Sequence, residues 1–441
     1  MRDATLVEAA VGAGQPPTLR RVLGKWDLTA IGINQVIGSA VFLLPSQVAA
    51  QVGGWGAMAF LAVGAASLLV ALCFAELGSR FEQTGGPYLY ARAAFGRFVA
   101  FEIGWMQWIA RMTSQAGIAN GIALALGFYW PVLTAGAGRA AVITAITLAI
   151  GWINLLGIRP SAVVVNLLTL AKLLPLALFI AIGVWFVDVD AVIPSGPVTM
   201  EQASAAALLL VFAFGGYDVI GVPAGEATDP RRHVPFAFVA TILAVTAVMT
   251  LAHVVAAGTL PTLAASSTPL ADASAVFMGP AGGLLVSAGA VVSMAGNSFG
   301  SVLTGSRMLY AMAENGDLPR WLAGVHPRYR TPSNAILCMT AGILALALSG
   351  SFVVLALASG IARLVIYTGT CAAALRLRYV RAPAGGPASF VTPGGPLVPV
   401  VAIAVSLAIL AGATGAQLLG GAVGLAAGAV LFLIQRERPR P

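Results

Sequence analysis

The sequence predicts an all-α integral membrane protein with twelve transmembrane helices, ten of them forming a five-plus-five inverted repeat and two added after it. Three observations predict this fold. Only 9% of the 441 residues are charged while 59% are hydrophobic, against about 25% charged in an average soluble domain. Apolar segments long enough to cross a bilayer, about 20 residues each, recur along the whole chain. Two of them, five segments apart, are interrupted by glycine and proline in matching positions.

In chain order the apolar segments fall at 28–52, 56–80, 98–128, 140–157, 163–187, 202–223, 235–259, 283–312, 333–350, 352–379, 397–414 and 416–434. They divide the chain into a cytoplasmic N-terminal segment (1–27) and a ten-helix core (28–380) with repeats near 28–187 and 202–379. A loop (381–396), two further helices (397–434) and a cytoplasmic tail (435–441) complete it. With the N-terminus inside, 19 of the 24 Lys and Arg residues lie in cytoplasmic segments, Arg139 alone in an outer loop, and four within spans. That asymmetry is the positive-inside pattern, which puts both termini in the cytoplasm of a multi-pass cell-membrane protein. The net charge of +8 is therefore topological, and no nucleic-acid partner is expected. The first 27 residues lack an apolar stretch ending in a small-residue cleavage site, so no cleaved signal peptide is expected. Cys73, Cys338 and Cys371 stand far apart within apolar segments, a pattern with neither disulfide nor metal spacing.

The first span contains "VIGSAVFLLP" (36–45) and the sixth contains "FAFGGYDVIGVPAGE" (212–226). Pro45 follows Gly38 by seven residues, and Pro223 follows Gly216 by seven. An offset of five spans makes the two segments run in opposite directions, and paired interruptions of this kind point to a transporter's midplane site. Unpaired backbone costs several kcal/mol in hydrocarbon, so a broken helix persists where its backbone has something to bind. Unwinding at Ser39 and Ala40 leaves N–H groups at the start of a half-helix, where partial positive charge favours a carboxylate. Carbonyls around Ile37 and Gly38, and near Phe212, Ala213 and Phe214 before Gly215 and Gly216, can accept from an ammonium. Together these form a receptor for a zwitterion such as an α-amino acid.

Charged side chains in mid-membrane cost on the order of 2.5–3.5 kcal/mol and mark function by default. Lys172 lies about nine residues into the fifth span, roughly 14 Å deep at 1.5 Å per residue. It is a proton carrier, a fixed ammonium standing where another transporter would bind sodium, or a permanently charged tether between the first and eighth spans. Arg111 and Asp218 are a natural ion pair; alternatively Arg111 faces the substrate side chain and favours an acidic or strongly polar substrate. Arg363 is a third deep charge, either a gate or a tether of the tenth span. Ser293 and Asn297 are one turn apart on the eighth span and share a face, either completing the site or bonding a neighbouring helix.

These segments together resemble the amino acid–polyamine–organocation superfamily of secondary transporters. "VIGSAVFLLP" resembles its first-helix substrate motif, and "AELGSRFEQTGGPYLYARAAFG" is similar to its signature after the second helix. "FAFGGYDVIGVPAGEATDPRRHVP" resembles its sixth-helix break and tail, and "GSRMLYAMAENGDLP" with "HPRYRTP" its eighth-helix end and loop. The match covers about 28–380. The resemblance implies a leucine-transporter-type fold, alternating access by rocking of the first, second, sixth and seventh helices, and an α-amino acid or related amine as substrate. Lys172 stands where many members carry a lysine in place of a sodium site, which implies proton coupling or exchange. Asp218 aligns with an acidic position that some members use in proton sensing. Ala40 stands where the family usually has a second glycine, and Arg111 where relatives usually offer a small or neutral residue.

The resulting expectation is a sodium-independent amino acid permease, neutral substrates favoured, working as a monomer or homodimer. Its expected partners are the substrate, the lipid bilayer and protons. An acidic amino acid or polyamine transporter of the same fold is the alternative; a non-transporting sensor or channel is the alternative of another class. The polar residues cluster at two breaks rather than along a pore. Enzymatic activity, a cofactor and a metal are not expected: the chain has no HExxH and no nucleotide-binding P-loop.

Overall fold

Long runs of Leu, Val, Ala and Ile leave helix as the arrangement that satisfies backbone groups in lipid, and the computed structural model is built of helices. It describes residues 23–82, 85–156, 162–329, 331–379 and 386–436. Most of the N-terminal segment, Arg159, Arg330, Arg381 and the tail beyond residue 436 lie outside the described residues. The helices are α1 (Lys25–Val36), α2 (Ala40–Val52), α3 (Gly56–Gly78), α4 (Gly86–Phe95), α5 (Arg97–Leu126), α6 (Gly136–Leu156) and α7 (Ala162–Gly183). They continue as α8 (Met200–Phe214), α9 (Pro230–Thr259), α10 (Pro269–Glu314), α11 (Ser333–Ser349), α12 (Phe352–Tyr379), α13 (Leu397–Ala411) and α14 (Gly415–Arg436). Among the described residues seven helical stretches are long and apolar enough to cross a membrane, and three shorter apolar helices accompany them. Six of the eight tryptophans, Trp26, Trp55, Trp130, Trp152, Trp185 and Trp321, are exposed, at or near helix ends. Tryptophan is enriched at membrane–water interfaces.

Both interruptions are present as breaks. The chain leaves helical geometry at Ile37–Ser39, between α1 and α2, and again after Phe214. There it turns through Gly215 and Gly216 into two short 3₁₀ turns, Tyr217–Val219 and Val222–Glu226. The two broken segments run antiparallel. Near the start of α1, Leu23 pairs with Ala227, and its carbonyl accepts from the Thr228 N–H at 2.9 Å. Beyond the end of α2, the Trp55 indole donates to the Gly196 carbonyl, just ahead of α8, at 3.1 Å. An aromatic group anchors the second break from behind. Tyr217, fully buried, lies 5.8 Å from Phe74 and 5.4 Å from Tyr367, ring centre to ring centre. Such pairs add about 0.5–1.5 kcal/mol each beyond their burial.

Two helical stretches fall where the hydropathy pattern marks no span. The ten-residue α4 occupies the stretch between the second and third apolar segments, entered through Gly85 and Gly86, both at positive φ, with Pro87 at its start. It is held by Tyr88, whose hydroxyl donates to Asp317 at 2.9 Å, while Arg97 Nε donates to the same carboxylate at 2.6 Å. Burial, and then the charge of Asp317, push the Tyr88 hydroxyl up to about 12, so it stays a donor at any physiological pH. The second is the first turns of α10, which precede a kink at Gly279, where φ is +70°.

Glu76, at the end of α3, is fully buried. It accepts from Arg378 of α12 with both oxygens, from Arg80 at 3.4 Å and from the Thr392 N–H at 3.1 Å. This carboxylate therefore ties α3, α12 and the segment ahead of α13 together. Glu76→Gln leaves two guanidiniums facing a neutral amide. A loss of about 1–3 kcal/mol is expected from such unmade bonds to charge. It should appear as a lower unfolding midpoint in detergent and faster proteolysis near residues 386–396.

Candidate functional site

The first break carries its own reason for existing. Ile37 N–H still bonds the Ile33 carbonyl, but the helix then turns away, releasing the last carbonyls of α1. Side chains from two other helices take them up. Lys172 of α7, 2% exposed, donates to the Asn34 carbonyl at 2.8 Å and the Ile37 carbonyl at 3.0 Å. From α10, Ser293 donates to the Ile37 carbonyl at 3.3 Å, and Asn297 to the Gln35 carbonyl at 2.9 Å. Lys172 thus clasps α7 to the broken end of α1. On the far side α2 begins at Ala40, after Ser39, whose side chain makes no capping bond. The Ser39 carbonyl accepts from the Phe42 and Leu43 N–H groups, each at 3.1 Å, which leaves the N–H groups of Ala40 and Val41 without a partner within their helix.

The second break lies directly against the first. Gly216 has φ +122°, and a Cβ there would stand 2.7 Å from the Gln35 carbonyl oxygen. Gly215 passes under Arg363, whose Nε would lie 2.3 Å from a Cβ at that position. Only glycine permits both the positive φ and this approach. Gly216→Ala is expected to destabilise the fold by about 1–3 kcal/mol through backbone strain alone, and to push the breaks apart. A thermal melt of the purified variant against wild type measures it; an unchanged midpoint would mean that the two breaks are free to separate.

Between the breaks lies a cavity of about 30 Å³, room for about two waters. Of the residues singled out from sequence, Gly38, Ser39, Ala40, Arg111, Phe212, Gly215, Gly216, Asp218 and Asn297 line it. Ile37, Ala213, Phe214 and Lys172 do not. The Ile37 carbonyl is turned to Lys172 and Ser293 instead, Phe214 and Ala213 are buried in the core, and Lys172 stands behind α1. Gln35, Ser114, Gln115 and Arg363 also line the cavity. Sequence reading attached no site role to the first three, because polar residues without charge give little signal among so many helical positions.

Asp218 follows the second break and is 3% exposed. Its Oδ1 accepts from Arg363 Nη1 at 3.0 Å, and its Oδ2 from Gln107 Nε2 at 2.8 Å. Arg111 Nη2 stands 3.6 Å from Oδ2, while its Nη1 donates to Thr304 Oγ1 at 3.0 Å. The closer partner of Asp218 is therefore Arg363, not Arg111. Arg111 both faces Asp218 and lines the cavity.

With this geometry in view, the comparisons with known proteins are decisive. The sequence pattern of the family described as "Amino acid permease" matches residues 23–431. The chain belongs to the amino acid permease family of the amino acid–polyamine–organocation superfamily. It is similar to the serine/threonine exchanger SteT of Bacillus subtilis (strain 168), 33% identical over 334 residues, covering 72% of this chain and 74% of the relative. It is 28% identical over 351 residues to the branched-chain amino acid permease BcaP of the same organism, covering 75% of each. A methylthioribose transporter from that organism is 26% identical over 450 residues, covering 98% and 97%. The permease is thus a multi-pass membrane transporter of small molecules rather than an enzyme.

Proposed function

We propose that this permease moves α-amino acids across the cell membrane as a sodium-independent secondary transporter, by alternating access around the cavity between its two breaks. In this reading twelve spans leave both termini in the cytoplasm. Residues 28–380 form the ten-helix transport core as two inverted repeats, near 28–187 and 202–379, and 397–434 add two peripheral helices. The observation that carries the reading is the meeting of an unpaired helix start with an interrupted helix end. The first N–H groups of α2, beside Ser39 and Ala40, receive the substrate carboxylate. Main-chain carbonyls at the end of α8 receive its ammonium. The cavity is far smaller than an amino acid, so binding requires α2 and α8 to part, which ties occupancy to conformational change. Amino acids named for several relatives, differing in their side chains, support main-chain recognition of this kind.

Lys172 carries the coupling in this reading. Its protonated form holds the carbonyls of Asn34 and Ile37 with a charged donor, and loss of the proton removes that charge and one of three N–H groups, weakening both bonds, so proton binding biases the position of α1. Asp218, which ties the second break to α5 and α12, is the second coupling residue. The test is a thermal-shift screen of the purified protein against the twenty amino acids and common polyamines at two pH values. Selective stabilisation by amino acids, which follows from binding to the folded state, is the expected result. It should be joined by pH-gradient-driven, sodium-independent uptake in proteoliposomes. A flat screen with no uptake overturns the proposal.

A further inference from the structure

We infer that the side chain of the transported amino acid carries a carboxylate, so that the preferred substrate is an acidic, net-negative amino acid. The inference rests on the reading that the cavity binds an α-amino acid. It departs from the neutral substrate that the helix breaks by themselves favour.

The argument is one of charge and of unmade bonds. Three charged side chains line the cavity among the described residues: Arg111, Arg363 and Asp218. Their side chains are 7%, 8% and 4% exposed. Two positive charges face one negative, leaving an excess of one buried cation. Asp218 spends one oxygen on Arg363 and its close bond from the other on Gln107. Arg111 is left with an ion pair at 3.6 Å and a neutral hydroxyl at 3.0 Å. The Nε–H groups of both Arg111 and Arg363 are buried without a hydrogen-bond partner, as are Ser39 Oγ and Gln115 Oε1, on residues that line the same cavity.

A buried charge lacking a counter-ion is strongly unfavourable, and supplying its partner removes that cost. A neutral zwitterion brings no net charge: its carboxylate and ammonium are accommodated by the helix ends. A cationic side chain adds a like charge beside two guanidiniums. A side-chain carboxylate supplies the missing negative charge and accepts from the planar fork of a guanidinium, a geometry that lysine would not offer. Arg111, the looser partner of Asp218, is the guanidinium that receives it.

The experiment compares isosteres. Binding of L-glutamate and L-glutamine, and of L-aspartate and L-asparagine, is measured on the full-length protein in detergent, with counterflow exchange in proteoliposomes. Each pair differs in charge with almost no change in shape. At least one acid is expected to bind roughly 10-fold to 100-fold more tightly than its amide, the range of a charge-assisted hydrogen bond left unmade. Arg111→Gln is expected to cut that ratio by roughly tenfold, a change in preference that general destabilisation does not produce. Arg363→Gln serves as the second variant if Arg111→Gln does not fold, and the wild-type ratio stands without either. Amides or neutral amino acids binding as well as the acids would overturn the inference while leaving the permease reading intact. Failure of every amino acid to bind or exchange would overturn that reading itself.

Discussion

Asp218→Asn is expected to destabilise the permease by about 3–5 kcal/mol, the range for removing one partner of a buried ion pair. The reason lies in the count of charges rather than in a single contact. Arg363 at 3.0 Å and Arg111 at 3.6 Å share one carboxylate, with Gln107 as a third partner. An asparagine keeps the shape and one acceptor but leaves two guanidiniums buried against each other with no counter-charge. Most substitutions cost far less. Arg111→Gln or Arg363→Gln alone should cost less, because Asp218 keeps the other arginine. Adding Arg363→Gln to Asp218→Asn should recover part of the loss, since pairs in one network are not additive. Unfolding midpoints in detergent for the three single variants and the double variant measure this directly. A midpoint for Asp218→Asn equal to wild type would mean that the cluster makes no net contribution to stability.

Lys172→Ala is expected to abolish pH-gradient-driven accumulation and to leave a protein that still inserts into the membrane. The substitution removes two bonds to the released carbonyls of α1, at 2.8 Å and 3.0 Å. Ser293 still holds the Ile37 carbonyl at 3.3 Å, and Asn297 the Gln35 and Asn34 carbonyls at 2.9 Å and 3.4 Å. The stability loss should be modest, about 1–3 kcal/mol for bonds to a charged donor, while the transport loss should be complete. Lys172→Arg separates a proton carrier from a permanently charged group. A fixed cation should preserve substrate exchange yet lose response to a pH gradient, because arginine does not release its proton. Reconstituted Lys172→Ala that still accumulates substrate in response to pH would remove Lys172 from coupling and leave it as a clasp.

Apolar patterning places a helix in each of the twelve segments, because a bilayer tolerates so few alternatives for the main chain. It also locates both breaks, since Gly38-Ser39 and Gly215-Gly216 are conspicuous inside apolar runs, with a proline seven residues after Gly38 and after Gly216. The turn through Gly216 follows from local chemistry: its φ of +122° suits glycine. Other parts were illegible. The α4 helix was hidden because ten residues between the Gly85–Gly86 turn and Gly96 carry no span-length signal. Gln115, Ser114 and Gln35 are ordinary polar residues until the packing of α5, α10 and α1 turns them toward one cavity.

The buried charges show the same division more sharply. Their depth is a property of the sequence, since Lys172, Arg111, Asp218 and Arg363 sit within apolar stretches whose lengths fix how far each lies from water. Their partnership is not. Asp218 and Arg363 are separated by 145 residues, and Lys172 and Ile37 by 135. No local preference encodes which of several deep charges will meet. Sequence by itself determined that this chain is a helical membrane protein with two opposed interruptions and an unusual set of charges between them. Only the tertiary structure decided that Arg363 takes the first hold on Asp218, that Arg111 is left the looser partner, and that Lys172 turns to the main chain. Hydrophobicity is summed residue by residue along the chain, whereas electrostatic pairing depends on distances that exist only once the helices have packed.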